Sequence, residues 1–300
     1  MNAPTRPDAA MLNPKLKAMI RRIDDLPTLP RTVFRITEMI NNPRSSARDL
    51  AQVITDDQVL TARLLRLVNS SFYGFPQRIT TITRAIVLLG FDAIRHLLLT
   101  TSVFDIFSDR KSELQVAREK LWDHSLGCAV AAKVIGKQIR HDKIEELFVC
   151  ALLHDIGKIV SMVYAQEDYA AVTRLAAEKN ILLFEAEAAL LEYTHADIGR
   201  LLAERWNLPN MVADVIVYHH TPDQAGPYAR EAAVVHLADI FCRALQLGSG
   251  GDHRMPALDT AAWDLLQLDG TDITPMLAEV ESGFNDISSF TDAIVTAATA

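Results

Sequence analysis

The chain has 300 residues, 49% of them hydrophobic, and a formal net charge of -8 at neutral pH. This is enough apolar sequence for one large domain or two modest ones, and the negative charge argues against a nucleic-acid duplex as the main partner. Residues 1–11 lack an apolar leader and no run approaches the roughly 20 apolar residues that span a bilayer, so we expect a cytoplasmic protein without membrane association.

The first part of the chain is predicted to be a helical bundle, because apolar residues recur at helical spacing and no strand-like alternation is convincing. Residues 1–20 are interpreted as a loose tail and 21–110 as the bundle. Ser46 and Thr81 are candidate N-caps, and Gly90 is expected to end a helix. The helices expected here cover residues 33–40, 46 onwards, 57–71, 82–89 and 92–103. We therefore expect an all-α fold.

The second part, 111–247, is predicted to be a separate helical domain, with a candidate hinge in the charged segment 108–120. Its helices are apolar on more than one face, as is typical of central helices. They are expected at residues 120–140, 144–165, 209–220 and 230–247. The glycine-rich run 248–251 is interpreted as a flexible break. Residues 248–300 are expected to form a linker, one or two weak helices and an Ala/Thr tail.

The three cysteines, Cys128, Cys150 and Cys242, stand in apolar segments that are predicted to be helical. An odd number of cysteines at wide spacing argues against a disulfide framework and for a reducing compartment. We interpret them as small buried hydrophobic side chains.

A His-Asp pair stands out within the apolar run 146–164. Burying the ionised side chain of Asp155 alone is costly, and a cation shared with His154 removes that cost. Lys158 follows on the same side of the helix, where it suits a phosphoryl oxygen, and Gly157 leaves that side uncrowded. The alternative is a satisfied core histidine beside a helix-breaking aspartate.

A metal site needs more ligands, and two other helices offer candidates. His124 lies on a face of small residues, where a core or boundary histidine is the alternative role. Asp239 lies on an apolar stripe, so it is either a ligand or one side of a buried salt bridge. His236 precedes Asp239 by one turn and is interpreted as a structural residue or as a support for a ligand.

Three more histidines are candidate ligands at helix ends. His195 follows Thr194, which forms a capping-box pattern with Asp197, so an exposed first-turn residue is the alternative. His219 and His220 end an apolar helix, where favourable interaction with the helix dipole would explain one of them.

In this order the sequence His124, His154-Asp155 and Asp239 resembles the HD superfamily of metal-dependent phosphohydrolases. The resemblance implies that these four residues hold one divalent metal ion. Fe, Mn, Zn and Ni all suit mixed histidine and carboxylate ligation.

The segment HDIGK, followed by one histidine and then a His-His pair, is similar to the HD-GYP cyclic-di-GMP phosphodiesterases. This resemblance implies that His195, His219 and His220 build a second metal site. The residues after His220 read TPDQAGPYA and lack the Gly-Tyr-Pro signature.

The segments LPTLPRTVFRITEMI, DLAQVITDDQVLTARLLRLVNSSFYGFPQRITTITRAIVLLGFDAIRHLLL and WNLPNMVADVIVYHHTP resemble the HDOD family of bacterial signalling modules. This resemblance covers roughly residues 20–245 and implies an HD-type domain packed against an N-terminal bundle.

Two functions are implied by these resemblances. In the first, one or two divalent ions support hydrolysis of a phosphoester, with Asp155 as a shared ligand and Lys158 stabilising the phosphoryl oxygens. The substrate would be a phosphate-containing small molecule such as a nucleotide or a cyclic dinucleotide. In the second, the chain is a non-catalytic regulatory module that binds a signalling protein partner, and its metal or polar site is structural. A purely structural helical protein is a third option.

Overall fold

A computed structural model describes residues 14–17, 35, 36, 39, 42, 44–69, 73, 75–107 and 114–297. All regular structure in these residues is helical, without strands, which confirms the all-α prediction. In chain order the α-helices are α1 (Ala47–Thr55), α2 (Gln58–Val68), α3 (Ile82–Phe107), α4 (Gln115–Gln138), α5 (Ile144–Leu153), α6 (Ile156–Tyr164), α7 (Gln166–Lys179), α8 (Leu183–Leu191), α9 (His195–Arg205), α10 (Asn210–Tyr218), α11 (Ala229–Ala244), α12 (Thr260–Leu266) and α13 (Ile273–Ala297).

The N-terminal helices begin and end largely where the sequence predicts. Ser46 caps α1, since its hydroxyl accepts the Asp49 backbone N–H at 3.2 Å. Gly90 breaks α3 with a left-handed φ of 86°. Most of the predicted tail and of the predicted helix 33–40 lies outside the described residues. Residues 14–17 are helical rather than loose, and Leu16 is buried.

Helix α4 is the centre of the second part. It packs against α5, α11 and α13 and is buried along most of its length, because small residues such as Gly127 and Ala131 permit close approach. The predicted hinge is wrong for residues 115–120, which belong to this helix. Leu114 is the N-cap of the helix, and residues 108–113 lie outside the described residues.

The segment Ile144–Tyr164 is long and apolar enough to cross a membrane, with a mean hydropathy of 1.6, contrary to the sequence prediction. It is nevertheless 89% buried inside the protein. It was also predicted as one helix, whereas a turn at His154-Asp155 separates α5 from α6. The segment is therefore a pair of core helices, and the turn carries the His-Asp pair.

The C-terminal part is more ordered than the sequence predicts. The glycine-rich run 248–251 is not a flexible break, since the Ser249 backbone N–H donates to the Lys120 carbonyl at 2.9 Å on α4. Helix α13 spans 25 residues and buries Met276, Val280 and Ile287. It packs on α4, so this helix is a structural part of the domain rather than a weak appendage.

Candidate metal centre

The structure brings together all seven predicted metal-ligand candidates. They come from the middle of α4 and α11, the turn between α5 and α6, the start of α9 and the end of α10. These residues are His124, His154, Asp155, His195, His219, His220 and Asp239. All except His220 are buried, with no more than 2% of each residue exposed.

One cluster lies between α4, α11 and the turn. His124 Nε2 is 3.0 Å from Asp239 Oδ1 and 3.8 Å from Asp155 Oδ2. His154 Nε2 is 3.2 Å from the same oxygen of Asp155. Candidate ligand atoms of His124, His154, Asp239 and Cys128 all lie within 4.8 Å of one another.

A second cluster lies beside the first. His195 Nε2 is 3.4 Å from His219 Nε2 and 3.2 Å from His220 Nε2. Asp155 Oδ1 is 3.1 Å from His195 Nε2 and 3.9 Å from His219 Nε2. Asp155 therefore presents one oxygen to each cluster, as a bridging ligand would.

Backbone carbonyls and a carboxylate orient three of the rings. Nδ1 lies 2.6 Å from the Ala151 carbonyl in His154 and 2.8 Å from the Ile216 carbonyl in His219. In His195 it lies 2.6 Å from Glu187 Oε2. Because these oxygens accept, each Nδ1 donates a hydrogen bond to its oxygen, and Nε2 is thereby turned towards the centre.

The buried polar atoms of the turn fit a cation. His154 Nε2 and Asp155 Oδ1 are fully buried and make no hydrogen bond to any described residue, although nearby nitrogens lie at ion-pair distance. Burial acts to raise the pKa of Asp155, but His154 and Lys158 hold it well below its usual value. An ionised carboxylate and convergent imidazole nitrogens are the kinds of donor that bind divalent transition metals.

Burial, together with the neighbouring histidines, also lowers the pKa of His219 and of His220 well below the usual range. Both rings are therefore neutral. A favourable interaction of a charged histidine with the helix dipole does not explain them, whereas neutral imidazole is the form that binds metals.

Two buried cations already pair with the carboxylates. Lys158 Nζ donates to Asp155 Oδ2 at 2.7 Å and to the Gly250 carbonyl at 2.8 Å. Arg243 Nε donates to Asp239 Oδ1 at 2.8 Å. Asp239 is thus one side of a buried salt bridge, and Lys158 is held by the protein rather than directed to an open site.

The loop that follows α11 closes the centre. A methyl group on Gly250 would lie 3.4 Å from His124 Nε2 and 2.6 Å from Arg243 Nη2, so only glycine fits there without displacing these side chains. The Asp252 carboxylate accepts from Arg243 Nη1 at 2.8 Å and from the Leu183 backbone N–H at 3.0 Å. The run predicted to be flexible therefore forms one wall of the site.

Sequence reasoning missed three residues of the site. Cys128 was interpreted as a hydrophobic filler, although it stands one turn after His124 on the same face. Arg243 stands four residues after Asp239, which is the spacing of a helical ion pair. Glu187 had a weaker signal, since it is one of several acidic residues in α8.

His236 and Gly157 both have structural roles beside the centre. Both ring nitrogens of His236 contact the backbone, at 3.0 Å from the His219 carbonyl and 3.3 Å from the Asp259 nitrogen, so His236 is a structural residue. Gly157 does not make room for Lys158. A methyl group there would instead collide with the His195 carbonyl, so this glycine allows α6 and α9 to approach each other.

Comparison with known proteins identifies the family and the fold. The HDOD domain model matches residues 26–222, a range that crosses the domain boundary predicted near residue 110. The crystal structure of an HDOD domain protein of unknown function from Geobacter sulfurreducens is 31% identical, with a TM-score of 0.75, and the alignment covers 93% of this chain and 96% of that one.

Two more relatives extend the comparison. A Shewanella amazonensis protein, whose name assigns it provisionally to the phosphohydrolases, is 25% identical with a TM-score of 0.61 and 93% coverage of both chains. An uncharacterised protein of Treponema pallidum is 30% identical over 233 residues. That alignment covers 76% of this chain and 45% of the relative, so the match spans less than half of the relative's length.

Proposed function

Because the chain belongs to the HDOD domain family, we propose that it is a cytoplasmic bacterial signal-transduction protein that retains an HD-type divalent-metal centre and hydrolyses a phosphoester. The observation that carries the proposal is the pair of buried atoms His154 Nε2 and Asp155 Oδ1, which lack hydrogen bonds to the described residues inside two histidine clusters. Unsatisfied buried polar atoms are rare and costly, and a metal ion would satisfy both.

The proposed ligands divide between two ions. One set consists of His124, His154, Asp155 and Asp239. The other consists of His195, His219 and His220, and Asp155 belongs to both. The neutral rings of His219 and His220 and the ionised carboxylate of Asp155 support this division, because these groups present lone pairs to the centre.

The proposed chemistry is hydrolysis of a phosphomonoester or phosphodiester. A divalent ion bound here would supply Lewis acidity and lower the pKa of a coordinated water towards ~7. Asp155 would orient the nucleophile, and Lys158 holds that carboxylate in place. Lys158 would reach a phosphoryl oxygen only by exchanging its contact with the Gly250 carbonyl. The substrate class is a phosphate-containing small molecule, such as a nucleotide or a cyclic dinucleotide.

A second candidate function is a non-catalytic module that binds a signalling protein. It is favoured by the pairing of Asp155 with Lys158 and of Asp239 with Arg243, since these cations already compensate both carboxylates. The loop after α11 favours this function as well, because it closes the centre. In this case the centre holds the helices together and the surface of the domain recognises the partner.

The two functions are separated by metal content and turnover. Protein purified without added metal is analysed for transition metals and then assayed on p-nitrophenyl phosphate, bis-p-nitrophenyl phosphate and cyclic dinucleotides with Fe, Mn, Zn and Ni. The proposed enzyme binds metal and its turnover disappears in Asp155→Ala. Bound metal without turnover on any substrate supports the module, and failure to bind any metal overturns the metal centre itself.

A further inference from the structure

We propose that Cys128 is a further ligand of the metal ion held by His124, His154, Asp155 and Asp239, so that this centre is a mixed nitrogen, oxygen and sulfur site. The inference rests on the proposed metal centre and adds a donor that neither the motif nor the family match assigns. Its Sγ lies 3.6 Å from His124 Nε2 and is fully buried.

The separation of these two atoms matches a shared ion. Zn–N of about 2.1 Å and Zn–S of about 2.3 Å, at an angle near the tetrahedral value, place the nitrogen and the sulfur about 3.6 Å apart. Cys128 follows His124 by one helical turn, so both side chains leave α4 on the same face. The helix thereby presents two donors to one point without distorting its backbone.

An independent observation points to a ligand at this place. His154 comes from a different element, and its Nε2 is buried without a hydrogen bond to the described residues. This nitrogen, the Cys128 sulfur, His124 and an Asp239 oxygen are mutually within 4.8 Å. The sulfur thus belongs to a convergent donor set rather than to an isolated apolar contact.

The other two cysteines provide a contrast. Cys150 on α5 and Cys242 on α11 are also buried and free, but neither belongs to a ligand cluster among the described residues. Cys242 is not independent of Cys128, because its thiol is a hydrogen-bond partner of the Cys128 thiol. Cys150 is therefore the matched control for the effect of removing a buried thiol.

A sulfur donor changes the metal that the centre prefers. Thiolate is a softer donor than carboxylate or imidazole and selects thiophilic ions, so Zn²⁺, Co²⁺ and Cd²⁺ are expected to bind more tightly than Mn²⁺ or Mg²⁺. Binding through sulfur also releases the thiol proton to solvent for each ion bound.

The test uses Co²⁺ as a spectroscopic probe of the full-length protein after metal removal under reducing conditions. The wild-type protein is expected to show a thiolate-to-cobalt charge-transfer band in the near ultraviolet together with visible d–d bands. The charge-transfer band should vanish in Cys128→Ser and persist in Cys150→Ser. Zn²⁺ affinity should fall more than about tenfold in Cys128→Ser, since even partners outside the ligand shell contribute that much.

Two results would overturn the inference alone. The first is Co²⁺ bound with d–d bands but no charge-transfer band, and the second is a band that persists in Cys128→Ser. No Co²⁺ or Zn²⁺ binding at all would instead overturn the metal centre and this inference together. If Cys128→Ser and Cys128→Ala fail to fold, X-ray absorption of the Zn²⁺-loaded wild type decides, because a Zn–S shell near 2.3 Å must be present.

Discussion

Glu187 Oε2 lies 2.6 Å from Nδ1 of His195 and also accepts the His195 backbone N–H at 2.9 Å. One buried carboxylate therefore holds both the ring and the backbone of the first residue of α9. With Nδ1 engaged, Nε2 faces Asp155 Oδ1 and the rings of His219 and His220. This is the arrangement by which proteins orient a histidine ligand for a metal.

We predict that Glu187→Gln weakens metal binding at the second cluster. The neutral amide removes the charge that supports His195, so metal affinity should fall by about 10- to 100-fold, as is usual for such partners. Isothermal titration of the metal-free protein with Zn²⁺ measures the change. Glu185→Gln on the same helix is the control, because Glu185 caps Leu182 and lies outside the centre. An affinity within twofold of wild type would show that Glu187 is only structural.

Metal addition should stabilise the folded protein, and Asp155 should be required for it. An ion that binds only the native state contributes about 2.7 kcal/mol when its free concentration is 100 times its Kd. The Tm of the metal-free protein should therefore rise when Zn²⁺ is added and fall back to its starting value when a chelator is added.

Asp155→Ala should abolish most of this shift, because both clusters lose their shared oxygen ligand. The variant's own metal-free Tm serves as its baseline. A wild-type Tm that does not respond to Zn²⁺, Mn²⁺, Fe²⁺ or Ni²⁺ would contradict the prediction, as would an undiminished shift in Asp155→Ala.

The sequence predicted much of the site because its donors interrupt apolar helices. A histidine or a carboxylate at a buried position needs a partner, and this requirement singled out His124, His154, Asp155 and Asp239. It did not predict that a turn separates α5 from α6 at the pair. The apolar pattern continues through residues 144–164, and periodicity does not show where backbone hydrogen bonds are interrupted.

The loop and the supporting residues were harder to predict for a different reason. Four consecutive residues of glycine and serine usually indicate flexibility. Here Gly248 and Gly250 are needed because the loop backbone passes against α4 and Arg243, a contact between distant segments that composition does not reveal. Cys128 resembled any other small apolar residue until the fold placed His154 and Asp239 around it.

Lys158→Met tests whether the buried cation and the metal compensate the same carboxylate. Removing one partner of a buried ion pair costs roughly 3–5 kcal/mol, so the metal-free variant should unfold at lower denaturant concentration than the wild type. A bound metal ion would restore part of the loss, because it neutralises Asp155 in place of the ammonium group. Urea unfolding with and without Zn²⁺ measures both effects.

Lys133→Met is the matched control for that experiment. Lys133 Nζ pairs with Glu145 at 2.9 Å in a largely buried setting away from the candidate ligands. Its loss should destabilise the protein without a greater response to metal than the wild type shows. Equal rescue of both lysine variants would mean that the metal acts through general stabilisation rather than through Asp155.

Gly248→Ala tests whether the loop after α11 is the closing wall of the centre. Gly248 has a left-handed φ of 66°. A methyl group there would collide with the backbone nitrogen of His124 and the backbone carbonyl of Lys120, both on α4. The strain, roughly 1–3 kcal/mol, should detach the loop from α4 and break the bond from Ser249 to Lys120. Hydrogen exchange in 248–252 should then become faster.

Detachment of the loop should also expose the centre, so a pre-bound Zn²⁺ ion should pass to a chelator faster in Gly248→Ala than in the wild type. Gly270→Ala is the control, since a methyl group there has no heavy atom within 4 Å and should change neither rate. Faster exchange in the loop with an unchanged rate of metal loss would separate the two effects: the loop would then pack on α4 without limiting access, and ions would reach the centre by another route.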